Sequence, residues 1–178
     1  MALTCVNLTT PGQMLTLASV IGREFSVAEV ASLIENVSEE GVLALLEEAA
    51  AARVIEELPQ AVGRYQFSHV LIRETLYDEL PATRRVRLHQ RIAETMEELY
   101  KDNLEPHLER LAYHFLESAK TGDVDKAVLY AERAGASADA LFAYEEAVSH
   151  YEMALQILQV ISKLMRWSIL TPSKAEQM

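Results

Sequence analysis

The stretch Tyr65 to Met96, YQFSHVLIRETLYDELPATRRVRLHQRIAETM, decides how the chain is built, because a strand end, a short helix and a basic longer helix meet within it. An aromatic strand, Arg64 to Phe67, runs into Ser68, a residue type that caps helices by accepting from an otherwise unpaired amide. The helix opened there is expected to end near Leu80, since Pro81 disfavours helical geometry in the residue before it. A longer helix then spans Thr83 to Tyr100, with Leu88, Ile92, Met96 and Leu99 as its buried stripe.

Upstream of this junction the punctuation is clear. Thr10-Pro11 offers a capping hydroxyl and a proline at the first helical position, and Gly22 follows Ile21 as a stop, so Pro11 to Ile21 reads as a helix. Ser26-Val27-Ala28-Glu29 is a capping box opening a helix to about Ile34. Ser38 caps a third helix through Ala52, whose apolar face is Val42, Leu45, Leu46 and Ala49. Val54 to Leu58 and Arg64 to Phe67 then form a hairpin around Pro59 to Gly63. Three helices and a hairpin make a winged helix, assigned to residues 1–80, with 81–103 as a connecting helix.

Downstream, Leu108, Leu111, Ala112, Phe115, Leu116 and Ala119 recur at spacings of three and four, an amphipathic helix. Thr121-Gly122-Asp123 is a turn. The next helix, Val124 to Phe142, carries Ala127, Ala131, Ala134 and Ala138, small residues that admit a neighbouring helix at close range. A final helix begins at Tyr144, and residues 166–178 form a tail. Ile157, Ile161 and Leu164 continue an apolar stripe in this last helix, which implies self-association through it or coverage by the tail and Trp167. The fold class is therefore mainly α.

Composition narrows the function. The chain has 178 residues, 16 basic and 27 acidic, for a net charge of −11. It would repel a nucleic-acid backbone unless its basic groups were gathered on one face. The helix before the wing, where a DNA reader needs basic and amide side chains, instead bears Glu39, Glu40, Glu47 and Glu48. Cys5 is the only cysteine, which excludes an internal disulfide and points to a reducing, cytoplasmic setting. No apolar run approaches the roughly 18 residues of a membrane span.

Catalytic signatures are missing. The glycines Gly12, Gly22, Gly41, Gly63, Gly122 and Gly135 never form G-x-x-x-x-G-K-[ST], so the chain has no loop to cradle a triphosphate and is read as non-catalytic. His107 and His114, seven apart, are placed two turns apart on one helix, too far for a two-histidine metal clamp, and no H-E-x-x-H accompanies them. Ser68-His69 lacks the G-x-S-x-G elbow of a hydrolase. Arg84, Arg85, Arg87 and Arg91 form the dense basic cluster, with Arg84, Arg87 and Arg91 on one helix face. They read as a contact for an anion or an acidic domain surface, or as a solvated face balancing an acidic protein. His89, beside Val86, Ile92 and Ala93, reads as a histidine at the core boundary.

The junction Tyr65 to Met96, together with ASVIGREF at Ala18 to Phe25 and EEAAAARVIEE at Glu47 to Glu57, resembles the region that follows the nucleotide-binding core in signal-transduction ATPases with numerous domains. This class contains large LuxR-type activators and cyclase-associated ATPases and, more distantly, disease-resistance and apoptotic receptors. YEEAVSHYEMAL, Tyr144 to Leu155, resembles the second helix of a tetratricopeptide unit, with Ala147, Tyr151, Ala154 and Leu155 at packing positions. Its opening is echoed about 21 residues upstream, short of the roughly 34 of that repeat, so 104–165 is read as a tetratricopeptide-like array of open register.

The resemblance implies a fragment of a larger cytoplasmic regulator, ending in WSILTPSKAEQM, with ATP or ADP bound in an upstream domain that this chain lacks. It implies that the wing domain couples nucleotide state to domain arrangement and that the helical array meets a protein partner or inducer. Phe67 to Arg73, FSHVLIR, is similar to the M-H-D motif of the receptor branch, in which a histidine contacts bound ADP. Val70 stands where the receptors have aspartate. A first-turn position would let His69 meet an anion, with Arg73 at i+4 on the same side; the other reading packs His69 over Ile72 and Leu76. A free-standing DNA-binding regulator and a stand-alone helical-repeat scaffold remain as readings from other classes.

Overall fold

The computed structural model describes residues 10–34, 37–119 and 124–170, with side chains as far as residue 159. It divides into two compact units, Met1–Lys101 and Asp102–Met178. The described residues are mainly helical, with one small sheet. Thr121-Gly122-Asp123, Trp167, Ile161 and Leu164 lie outside the residues whose placement or side chains are described.

The first unit is built around α1, Pro11–Ile21. Met14, Leu15, Leu17, Ala18, Ser19, Val20 and Ile21 are buried, so all sides of its second half face protein. Thr10 Oγ1 accepts from the Gln13 amide at its start, and Gly22, at φ 148°, closes it by donating to the Ala18 carbonyl. A side chain at Gly22 would be strained in that backbone. β1, Glu24–Ser26, leads into α2, Val27–Leu33, where Ser26 and Glu29 form a reciprocal capping box. α3, Glu39–Ala51, buries Val42, Leu46 and Ala49, and Arg53 turns the chain through a left-handed φ of 58°. β2, Ile55–Glu57, and β3, Arg64–Phe67, follow.

The sheet has order β1-β3-β2, all antiparallel, with Phe25 opposite Tyr65 and Ile55 opposite Phe67. The hairpin is thus joined by a third strand, β1, that the sequence reading did not assign. Phe25 is fully buried, its ring stacked 6.3 Å from Tyr65 and tilted 5.7 Å from Phe67.

α4, Val70–Asp78, starts two residues after Ser68 rather than at it. Ser68 is not the cap. Its amide is held by the Val54 carbonyl at 3.1 Å, prolonging the sheet, so His69 becomes the cap residue in extended backbone. α5, Ala82–Leu99, is no mere connector between domains. It packs on α1 and α2 within the first unit and buries Leu88, His89, Ile92, Ala93 and Met96. Leu99, in its last turn, is 38% exposed, at the edge of that stripe. Tyr100 closes the unit by donating to Glu29 Oε1 at 3.0 Å.

The second unit comprises α6, Leu108–Ser118, α7, Val124–Ala140, and α8, Tyr144–Leu170. A 3-10 turn, Glu105–His107, precedes α6, so His107 stands before the helix that contains His114. α7 packs on both α6 and α8. Phe115 and Tyr130 stack at 5.1 Å, almost parallel, and the small residues Ala127, Ala131, Ala134 and Ala138 are all buried. Ile157 is buried too, facing inward with Ala147 and Ala154, rather than forming an uncovered stripe.

Candidate functional site

Three places on the chain combine chemistry with access. At the first, the start of α4, His69 is exposed and makes no capping bond to a backbone amide. His69 lies at the cap rather than in the first turn, and Ile72 and Leu76 farther along α4 are half-buried. Arg73, one turn on, is half-buried, and its Nε is buried without a hydrogen-bond partner among the described residues. Val70 and Leu71, between them, are exposed.

The second place is the basic helix. Arg84 and Arg91 line a surface recess with Leu17, Leu33, Leu88 and Thr16, whereas Arg87 does not. At about 100° per residue, positions 84, 87 and 91 span roughly 60° of the helix surface, with 87 at the edge turned away from Leu88 and the recess. Arg85 faces elsewhere, 3.4 Å from Asp78 and over the Tyr77 ring at 4.9 Å. Gln13, Thr16 and the three leucines could not have been assigned to this recess without knowing how α1, α2 and α5 pack together.

Behind the arginines, His89 is 1% exposed, with Nε2 3.1 Å from the Tyr77 hydroxyl. Burial, and then the neighbouring Arg85 charge, lower its pKa from 6.5 to about 4, so it is a neutral core residue at ordinary pH. Glu39, Glu40, Glu47 and Glu48 are exposed on α3 and leave that helix acidic.

The third place escaped the sequence reading. Leu141, Phe142, Tyr144, Val148, Tyr151, Leu155 and Leu158 are exposed along the turn into α8 and down its outer side. Leu155, assigned to packing by the tetratricopeptide resemblance, belongs to this ridge, while Tyr151 serves both, lying against Gly135 of α7. The signal was the 4-3-4-3 spacing from Tyr144 to Leu158, offset from the buried positions Ala147, Ala154 and Ile157.

Among the described residues no three His, Cys, Asp or Glu side chains gather as metal ligands, and no helix is long and apolar enough to cross a membrane. Comparison of the chain with protein-family models, with curated proteins and with solved structures finds no match.

Proposed function

We propose that the chain is the non-catalytic, protein-contacting part of a cytoplasmic signal-transduction ATPase with numerous domains, coupling nucleotide state in an upstream domain to partner contacts. The observation that carries this reading is apolar exposure outside two well-formed cores: Val70 is 57% and Leu71 69% exposed beside His69, and the α8 ridge lies open in the second unit. Contiguous apolar surface of this kind is a mark of protein interfaces.

Two features support the finer assignments. The order α1, α2, α3, then β2 and β3 with β1 alongside, suits a winged helix. Gly135 beneath Tyr151, with Ala147 and Ala154 turned inward, suits the small-against-aromatic packing of a tetratricopeptide-like pair. In this reading His69 and Arg73 face the nucleotide pocket of the upstream domain, which holds ATP or ADP, and Arg84, Arg87 and Arg91 meet an anion or an acidic domain surface.

The test is to extend the reading frame upstream and assay the encoded protein. A phosphate-binding loop and ADP binding that depends on His69 are the expected results. An upstream region with no such loop ends the proposal.

A further inference from the structure

The apolar ridge of α8 is bordered along one side by acidic residues. Tyr144, Val148, Tyr151, Leu155 and Leu158, each 41 to 59% exposed, repeat at 4-3-4-3 spacing, the period of a helix seam that receives another helix. Leu141 and Phe142, both 76% exposed, extend the seam at its N-terminal end. Phe142 holds a left-handed φ of 61°, and its ring meets Tyr144 edge-on at 6.2 Å. That conformation ends α7 as a left-handed cap, with the Ala143 amide donating to the Ala138 carbonyl at 2.9 Å, and it leaves the ring exposed at the head of the seam.

Along one side of the seam, about 80 to 100° round the helix from it, stand Glu145 and Glu152, both exposed, and no lysine or arginine occurs between Arg133 and Lys163. A second copy of α8 laid antiparallel would set its acidic side against this one, and like charges across a seam oppose pairing. A nucleic acid would meet the same repulsion.

We propose that this ridge docks an amphipathic helix of a partner protein whose apolar stripe is bordered by lysine or arginine. The proposal rests on reading the chain as a protein-contacting module and adds the chemistry of the contact. The partner's leucine-type side chains enter between Tyr144, Val148, Tyr151 and Leu155, while its cations meet Glu145 and Glu152. Phe142 and Tyr144 close over one end of the bound helix as the aromatic anchors.

The test uses the full chain and two synthetic helical peptides carrying leucines at alternating three- and four-residue spacing, one flanked by lysine and the other by glutamate. Fluorescence anisotropy should show saturable binding of the lysine peptide only, weakening as salt rises. Val148→Ser with Leu155→Ser, both at exposed positions, should weaken it by roughly tenfold or more while circular dichroism stays unchanged. Glu145→Lys with Glu152→Lys should transfer the preference to the glutamate peptide. Equal binding of the two peptides, binding of neither, or a chain dimer that the serine variants dissolve would each overturn the proposal. The outcome is independent of whether a nucleotide-binding domain lies upstream, so the failure of one reading is distinguishable from that of the other.

Discussion

The ring of Tyr151 lies so close over Gly135 that a Cβ added at 135 would stand 2.7 Å from its Cε1. Glycine inside a helix ordinarily costs about 1 kcal/mol relative to alanine, so its presence in the middle of α7 needs a tertiary reason, and this ring supplies it. Gly135→Ala should destabilise the second unit by about 1 kcal/mol, because the clash outweighs the propensity gain. In a Tyr151→Ala background the same change should stabilise by about 1 kcal/mol. Urea denaturation of the four proteins in the cycle measures the reversal of sign, and an effect of the same sign in both backgrounds would refute the account.

A second prediction concerns acid. His89 titrates near 6.5 when unfolded and near 4 in the fold, held neutral by burial and by Arg85. Between those values the unfolded chain binds the extra proton, so stability from this residue is complete above 6.5 and falls as pH drops toward 4. The full loss is about 3 kcal/mol. His89→Leu should remove this component from the pH dependence of the first unit's melting temperature. Parallel acid slopes for the native and variant proteins would show that the histidine is not the group responsible.

A third prediction follows from Glu29, which joins neighbouring and distant chain segments. Its Oε2 accepts from the Ser26 amide at 2.8 Å, and its Oε1 accepts from the Tyr100 hydroxyl at the end of α5. Ser26→Ala removes only a helix cap and should cost about 1 kcal/mol. Glu29→Ala strips acceptors from Ser26 and Tyr100 together and should cost roughly 2 to 3 kcal/mol. Denaturation midpoints would settle the order, and equal losses would mean that the link to Tyr100 contributes nothing.

What could be read from the sequence was local. Thr10, Ser26 and Ser38 act within one turn of themselves, and each caps the helix expected of it. β1 could not be read, because three residues are too short for an alternating pattern and their partners lie some forty positions downstream at Arg64 to Gln66. Ser68 misled for the same reason: its local preference is a cap, but a carbonyl of the preceding strand region claims its amide. In α8 the apolar residues were visible, yet which of two adjacent stripes would be covered depended on where α7 lay. Of the candidate site residues, Arg84, Arg87 and Arg91 lie on one side of α5 as the spacing implies, while only the packing of α1 and α2 beside it shows that Arg84 and Arg91 border a recess.

The last prediction concerns His69. Its side chain is exposed and makes no capping bond, so the fold of this chain asks little of it. His69→Leu should therefore shift the melting temperature of the isolated chain by no more than about 2 °C, as expected for a surface substitution within roughly 0.5 kcal/mol. In the longer protein that includes the upstream domain, a state sensor at this position would behave differently. Loss of the imidazole there removes a donor to bound ADP, so ADP affinity should fall and signal-independent activity should rise. Arg73→Leu should act in the same direction, and the double variant should add little beyond either single change, since the pair serves one contact. Calorimetric ADP titration of the longer protein decides the matter: unchanged affinity in His69→Leu would leave His69 as an ordinary surface residue at the start of α4.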